Sequence, residues 1–247
     1  MPGGYVKLVK KITRGYKVFI LRFRTGRLPV QLFAQEEVVR MSLRDSSPGR
    51  LYYRGLENAV LPFIKNRGFT PNRVTFAGLV FAIMVPLGFS AHAFWGLLLI
   101  ALAGIADSAD GLLARDSGPK SSFGVFLDST LDRIRDTFFL MGFWVLFWLD
   151  GRWILEATIL FFLALLSMYL ISYIKAGAEA AGLDCDTGLM TRSVRVVYML
   201  VWAFLLVVVP GTAEALLWIG ISVFLLACAF TVGQRIVHVR NQYSFMI

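Results

Sequence analysis

The chain has 247 residues, 57% of them hydrophobic, with a mean hydropathy of +0.67 and a formal net charge of +9. That balance excludes an ordinary soluble domain and points to a protein that crosses a membrane several times. The basic excess has two readings, a nucleic-acid partner or the cytoplasmic flanks of membrane helices. The charges gather around apolar spans, so the second is preferred and no nucleic-acid partner is expected. Cys185 and Cys228 have no metal-ligand spacing, and His92 and His238 are isolated.

Residues 5–23 mix basic and apolar groups. Val9, Ile12, Tyr16, Phe19, Ile20 and Phe23 fall on one stripe at helical period, with Lys7, Lys10, Lys11, Arg14 and Lys17 largely off it. The pattern predicts an amphipathic helix lying on an anionic membrane surface. The apolar run Val18 to Leu21 is too short for a secretory signal, which needs about 7–15 such residues. Residues 24–52 read as a polar connector, and a second amphipathic piece runs from about Tyr53 to Lys65. Thr70 is a candidate N-cap with Pro71 at the first helical position, which opens the first long apolar segment.

Six membrane spans are expected, near 72–90, 93–112, 123–149, 153–175, 193–210 and 213–234. Of the 25 Lys and Arg residues, 24 fall on one side of a six-span arrangement and only Arg152 on the other. The positive-inside rule then puts both termini, the 113–122 loop and the 176–192 loop in the cytoplasm. The expected fold is an all-α polytopic membrane protein with amphipathic N-terminal surface helices. Residues 1–65 form an interfacial region and 66–247 the six-helix domain.

The stretch 107–132 is the chemical centre of the sequence. Asp107 and Asp110 are three apart and share a helix face with Gly111 and Ala114, while Asp128 and Asp132 are four apart and share a face with Gly124. Uncompensated carboxylates at a membrane boundary are costly. Two helix ends meeting across a turn at Ser117-Gly118-Pro119 would converge four of them, and their formal charge of −4 suits two divalent cations. Asp136 continues the stripe one turn deeper; with Arg133 and Arg135 nearby as ion-pair partners, it is left outside the site.

The pattern Asp107-x-x-Asp110-Gly111-x-x-Ala114-Arg115, eight residues, then Gly124-x-x-x-Asp128-x-x-x-Asp132 resembles the full signature of the CDP-alcohol phosphatidyltransferases. With Thr70-Pro71-Asn72 and the six-span layout, the likeness extends over roughly 66–235. The resemblance implies that the hydroxyl of a small polar alcohol attacks the lipid-linked phosphorus of a CDP-lipid such as CDP-diacylglycerol, releasing CMP. It makes Asp107, Asp110 and Asp128 metal ligands, and Asp132 the general base that also touches a metal. Oxygen ligands favour Mg²⁺ or Mn²⁺. Gly111, Ala114 and Gly124 would let the nucleotide approach the helix backbones, and Arg115 suits a phosphate of CDP. The family also implies a homodimer in the membrane of a prokaryotic cell.

The acceptor is addressed by a second stretch. Lys175 and, further on, Arg192 and Arg195 resemble the region of prokaryotic members that use inositol phosphate, where basic residues hold the acceptor's phosphate. Two positions depart from that pattern: Gly177 stands where a second base is usual, and Thr191 where an acid is usual. A phosphorylated polyol is therefore favoured, with glycerol 3-phosphate, serine and a neutral polyol as alternatives. A cation transporter built on the Asp cluster is the reading from another class. Against it, the carboxylates sit at one membrane face and not near the midplane, where transporters place their sites.

Overall fold

The computed structural model describes residues 7–13, 16–22, 47–116 and 122–244. The chain divides into two units, Met1–Arg50 and Leu51–Ile247.

In the first unit the expected amphipathic helix over 5–23 is replaced by a hairpin. β1 (Lys7–Thr13) pairs antiparallel with β2 (Tyr16–Arg22), Lys7 opposite Arg22 and Thr13 opposite Tyr16. The same residues that make a helical stripe are largely β-branched or aromatic (Val9, Ile12, Tyr16, Phe19, Ile20), and such side chains favour a pleated strand. Most of the expected connector lies outside the described residues.

Among the described residues the second unit is helical. The amphipathic piece before the first span begins earlier than the sequence suggests, as α1 (Ser47–Gly55), and passes through one π-helical turn (Leu56–Val60) into α2 (Leu61–Asn66). Gly68, at φ +67°, then ends the helix. Six long helices follow: α3 (Pro71–Ala91), α4 (Ala93–Asp116), α5 (Ser122–Asp150), α6 (Ile154–Ala180), α7 (Arg192–Val208) and α8 (Ala213–Ser244). Thr70 takes the extended conformation at the N-cap of α3 with Pro71 next, though its side chain makes no capping bond. The turn expected at Ser117-Gly118-Pro119 lies outside the described residues.

Four segments are long and apolar enough to cross a membrane: Pro71–Ala91, Ala93–Leu113, Ile154–Ala180 and Pro210–Ser244. The protein is thus an integral membrane protein with several spans. The other two long helices differ for visible reasons. α5 carries Asp128, Asp132, Arg133, Arg135 and Asp136 in its first half, and α7 has only 17 residues.

Small residues bring the helices together. α3 packs on both α4 and α5, α6 on α8, and α4 on α7. A Cβ at Gly78 would sit 3.0 Å from that of Ala106, and one at Gly142 would collide with Val85 and Phe89 at 2.6 Å. Close backbone approach of this kind is what holds helices together where lipid removes the hydrophobic drive between them. The core behind these contacts is aromatic, with Phe143 stacked on Trp202 at 4.0 Å between ring centroids and tilted against Phe89 at 4.9 Å. Phe76, Leu87, Phe162, Leu226 and Phe230 point outward. That exposure suits a lipid-facing surface.

Candidate active site

Helical periodicity places the signature aspartates as their spacing requires. Asp107 and Asp110 stand on the last turns of α4, Asp128 and Asp132 on the second and third turns of α5. Carboxylate oxygens of Asp107, Asp110 and Asp128 lie within 4.8 Å of one another. This donor set is oxygen only and part-buried, which fits a hard divalent cation such as Mg²⁺ or Mn²⁺ and does not fit zinc. Asp132 stands beside this group of three, engaged with two arginines.

Of those arginines, Arg192 is expected from the sequence on the acceptor side, and Arg135 is an addition. Arg135, on α5, is 1% exposed and donates to Asp107 and to the Thr75 carbonyl at 2.9 Å. The same guanidinium lies 3.4 Å from Asp132 and 3.8 Å from Asp110. Arg192, the first residue of α7, donates through both terminal nitrogens to Asp107 at 2.8 and 2.9 Å, and reaches Asp132 at 2.8 Å. Planar guanidinium is suited to such forked contacts with carboxylates. Four carboxylates and two guanidiniums leave the site with a formal charge of −2. Thr75, on α3, completes the shell with its hydroxyl 2.6 Å from Asp110. Tyr52, on α1, donates to Ser108 at 3.2 Å, which brings the pre-span helix against α4 next to Asp107.

Arg135 and Thr75 were not picked out as site residues. Arg135 had a signal, since it is three residues past Asp132 and so shares its helix face, but sequence proximity assigned it to Asp136. Asp136 instead pairs with Arg195 of α7, at 2.8 and 3.2 Å, and both side chains are buried. Thr75 follows Pro71 by one helical turn and carries no signal by itself.

The three bases expected to converge on an acceptor phosphate do not form one cluster. Arg192 faces the aspartates. Arg195 is sealed against Asp136 and the Met190 carbonyl, the latter at 3.2 Å. Lys175 forms ion pairs with Glu179 on its own helix and with Asp186 in the 181–191 segment. Ala114 and Arg115 continue α4, but the expectations for their side chains lie outside the described residues. Among the described residues, nothing lies within 4 Å of a Cβ added at Gly111 or at Gly177. Gly124 lies half-buried in the first turn of α5.

The family model of CDP-alcohol phosphatidyltransferases matches residues 69–232, which contains every one of these side chains except Tyr52 and, further along, the end of α8. The phosphatidylinositol phosphate synthase of Mycolicibacterium smegmatis is 34% identical over 208 residues, 80% of this chain and 89% of the relative. That of Streptomyces avermitilis is 34% identical over 203 residues, covering 78% and 81%. Among solved structures, Mycobacterium tuberculosis phosphatidylinositol phosphate synthase with CDP-DAG bound matches with a TM-score of 0.60 at 29% identity, over 73% of this chain and 91% of that one. The same enzyme in complex with manganese and citrate matches at 0.60 and 28%, over 73% and 87%. Motif, fold and sequence agree, and the chain belongs to the CDP-alcohol phosphatidyltransferase family of metal-dependent membrane transferases.

Proposed function

We propose that the protein transfers a phosphatidyl group from a CDP-lipid such as CDP-diacylglycerol to the hydroxyl of a phosphorylated polyol, inositol phosphate, and releases CMP. The observation that carries the reading is the group of three aspartate oxygens facing Arg192 across α4, α5 and α7. The names of the synthases it resembles, and the CDP-DAG and manganese in the structures of one of them, support the same choice.

Asp107, Asp110 and Asp128 would hold a divalent cation, with Asp132 as a further ligand where a second is bound; the metal supplies charge neutralisation at the pyrophosphate. The chain's own groups do the rest. Asp132 accepts the acceptor's hydroxyl proton, a task that needs reach and a nearby negative environment more than any special group. Arg135, fixed from three sides, keeps Asp107 and Asp132 aimed into the site. Arg192 is half-exposed and carries the cationic fork that an acceptor phosphate needs. Lys175 and Arg195 support it from separate ion pairs. The open space at Gly111, with Ala114 and Gly124, would admit the nucleotide, and Arg115 would meet a phosphate of CDP.

All six long helices are assigned as spans, with α5 and α7 crossing beside the four that are long and apolar enough on their own. The basic-residue distribution supports cytoplasmic termini and a cytoplasmic active site. The catalytic domain is taken as 66–247, preceded by an interfacial region over 1–65, and the enzyme is expected to act as a homodimer.

Purified protein reconstituted with CDP-diacylglycerol, Mn²⁺ or Mg²⁺ and a panel of alcohols tests the reading through CMP release. Inositol phosphate should exceed glycerol 3-phosphate, inositol and serine, and EDTA should abolish the signal. Failure of every alcohol to exceed an Asp132→Asn control would sink it.

A further inference from the structure

The 181–191 segment leads into Arg192, and it is held along its length by one face of α8. The Met190 amide donates to Thr231 Oγ1 at 3.0 Å, and the Leu189 amide to Gln234 Oε1 at 3.2 Å. Arg235 donates from Nε to the Thr187 carbonyl at 2.9 Å, and from a terminal nitrogen to the Ile171 carbonyl of α6 at 2.5 Å. Gln242, two turns on, donates to the Asp184 carbonyl at 2.6 Å. Thr231, Gln234, Arg235, His238 and Gln242 recur at helical spacing, a polar stripe that begins where the long apolar part of α8 ends.

This stripe is costly to keep. Thr231 is fully buried and Arg235 is 5% exposed, so each must spend its polar groups on partners. They spend them on the main chain of a loop. Gly188, at φ +120°, makes the seat possible: a Cβ there would come within 2.5 Å of the Thr231 methyl. Beyond Met190 the chain has only Thr191 before Arg192, whose guanidinium must reach Asp107 and Asp132. Two residues give little slack, since the chain advances at most ~3.3–3.6 Å per residue. The Met190 carbonyl also accepts from Arg195, so the loop end is fixed from both α8 and α7.

The geometry points to Thr231 and Arg235 as positioning residues for the transfer: through the main chain of 187–190 they set where Arg192 enters the acceptor side of the site. Neither touches the aspartates. The kinetic half of this inference rests on the acceptor-binding role proposed above for Arg192; the structural half does not.

The test uses the full-length protein with Thr231→Val, which removes the oxygen that Met190 needs while keeping the shape, and Arg235→Lys beside Arg235→Gln. Hydrogen exchange read on peptides covering 186–196 should rise at least tenfold in Thr231→Val, with α3 and α4 peptides unchanged. The KM for inositol phosphate should rise roughly tenfold, with the KM for CDP-diacylglycerol within about twofold of the parent. In an Arg192→Ala background the same substitution should add nothing to KM, because contacts acting through one group are non-additive. Arg235→Lys should recover part of what Arg235→Gln loses. Unchanged exchange at 186–196, or a Thr231→Val effect on KM that persists in full without Arg192, would overturn the inference. If Arg192→Ala alone leaves the KM for inositol phosphate unmoved, the acceptor reading fails, and the exchange measurement still decides whether α8 holds the loop.

Discussion

Arg192 and Arg195 stand three residues apart on α7, and both end in an ion pair with aspartate, yet the two surroundings have little in common. Arg192 is 30% exposed and shared between two carboxylates from two helices. Arg195 is buried at 4% exposure against a single carboxylate that is itself buried. Both members are buried, so that pair has no margin for losing either one. On the function proposed above, one arginine is available for exchange with a substrate. The other joins α7 to α5 and holds the frame on which the first is mounted.

This contrast can be broken or sharpened by mutation. The largest effect should come from an aspartate that Arg192 holds. Asp132→Asn should lower kcat by about 10²–10⁴, the usual contribution of a general base, while the purified protein still elutes as a single species and unfolds at the parent's temperature. Arg195→Ala should act through stability. Leaving a buried carboxylate unpaired costs about 3–5 kcal/mol, read as a marked fall in unfolding temperature in detergent, and a joint Arg195→Met, Asp136→Leu replacement should recover most of it. If Arg195→Ala unfolds normally and raises only the acceptor KM, the division drawn here between the two arginines is wrong. Arg192→Ala should show the opposite profile, with an acceptor KM raised on the order of tenfold or more and little change in unfolding temperature. Lys175→Ala should be the mildest. Its ion pairs are solvent-exposed and should shift the acceptor KM by less than about threefold, and a larger loss would return Lys175 to the acceptor pocket.

The site was legible in the sequence where a helix's own period decides geometry. Asp107 with Asp110, and Asp128 with Asp132, needed only their spacing to be placed on common faces. The six long helices were legible too, to within a few residues at most ends, because long apolar runs leave few alternatives. What stayed hidden depended on pairing across helices. Nothing local says that Asp136 takes Arg195, 59 residues on, in preference to Arg135 next to it. The choice follows from which helices pack, and only the α4, α5 and α7 arrangement leaves Arg135 pointing at Asp107 and Asp110. The N-terminal hairpin was missed for a different reason. Over 5–23 a basic and apolar alternation fits both periods, and β-branched and aromatic content tips it to strands.

Arg135 has a consequence for how the protein is made. On the six-span topology proposed above, α5 must enter the bilayer carrying three aspartates and two arginines in its first half, each worth about 2.5–3.5 kcal/mol against insertion when near a helix centre. Besides Asp132 on α5 itself, the partners that hold Arg135 are Asp107 and the Thr75 carbonyl, which belong to α4 and α3 and emerge from the ribosome first. α5 is therefore expected to insert as a companion to a hairpin already in place. Biogenesis and chemistry then depend on the same charges: the aspartates that await a substrate also admit the helix that completes their site.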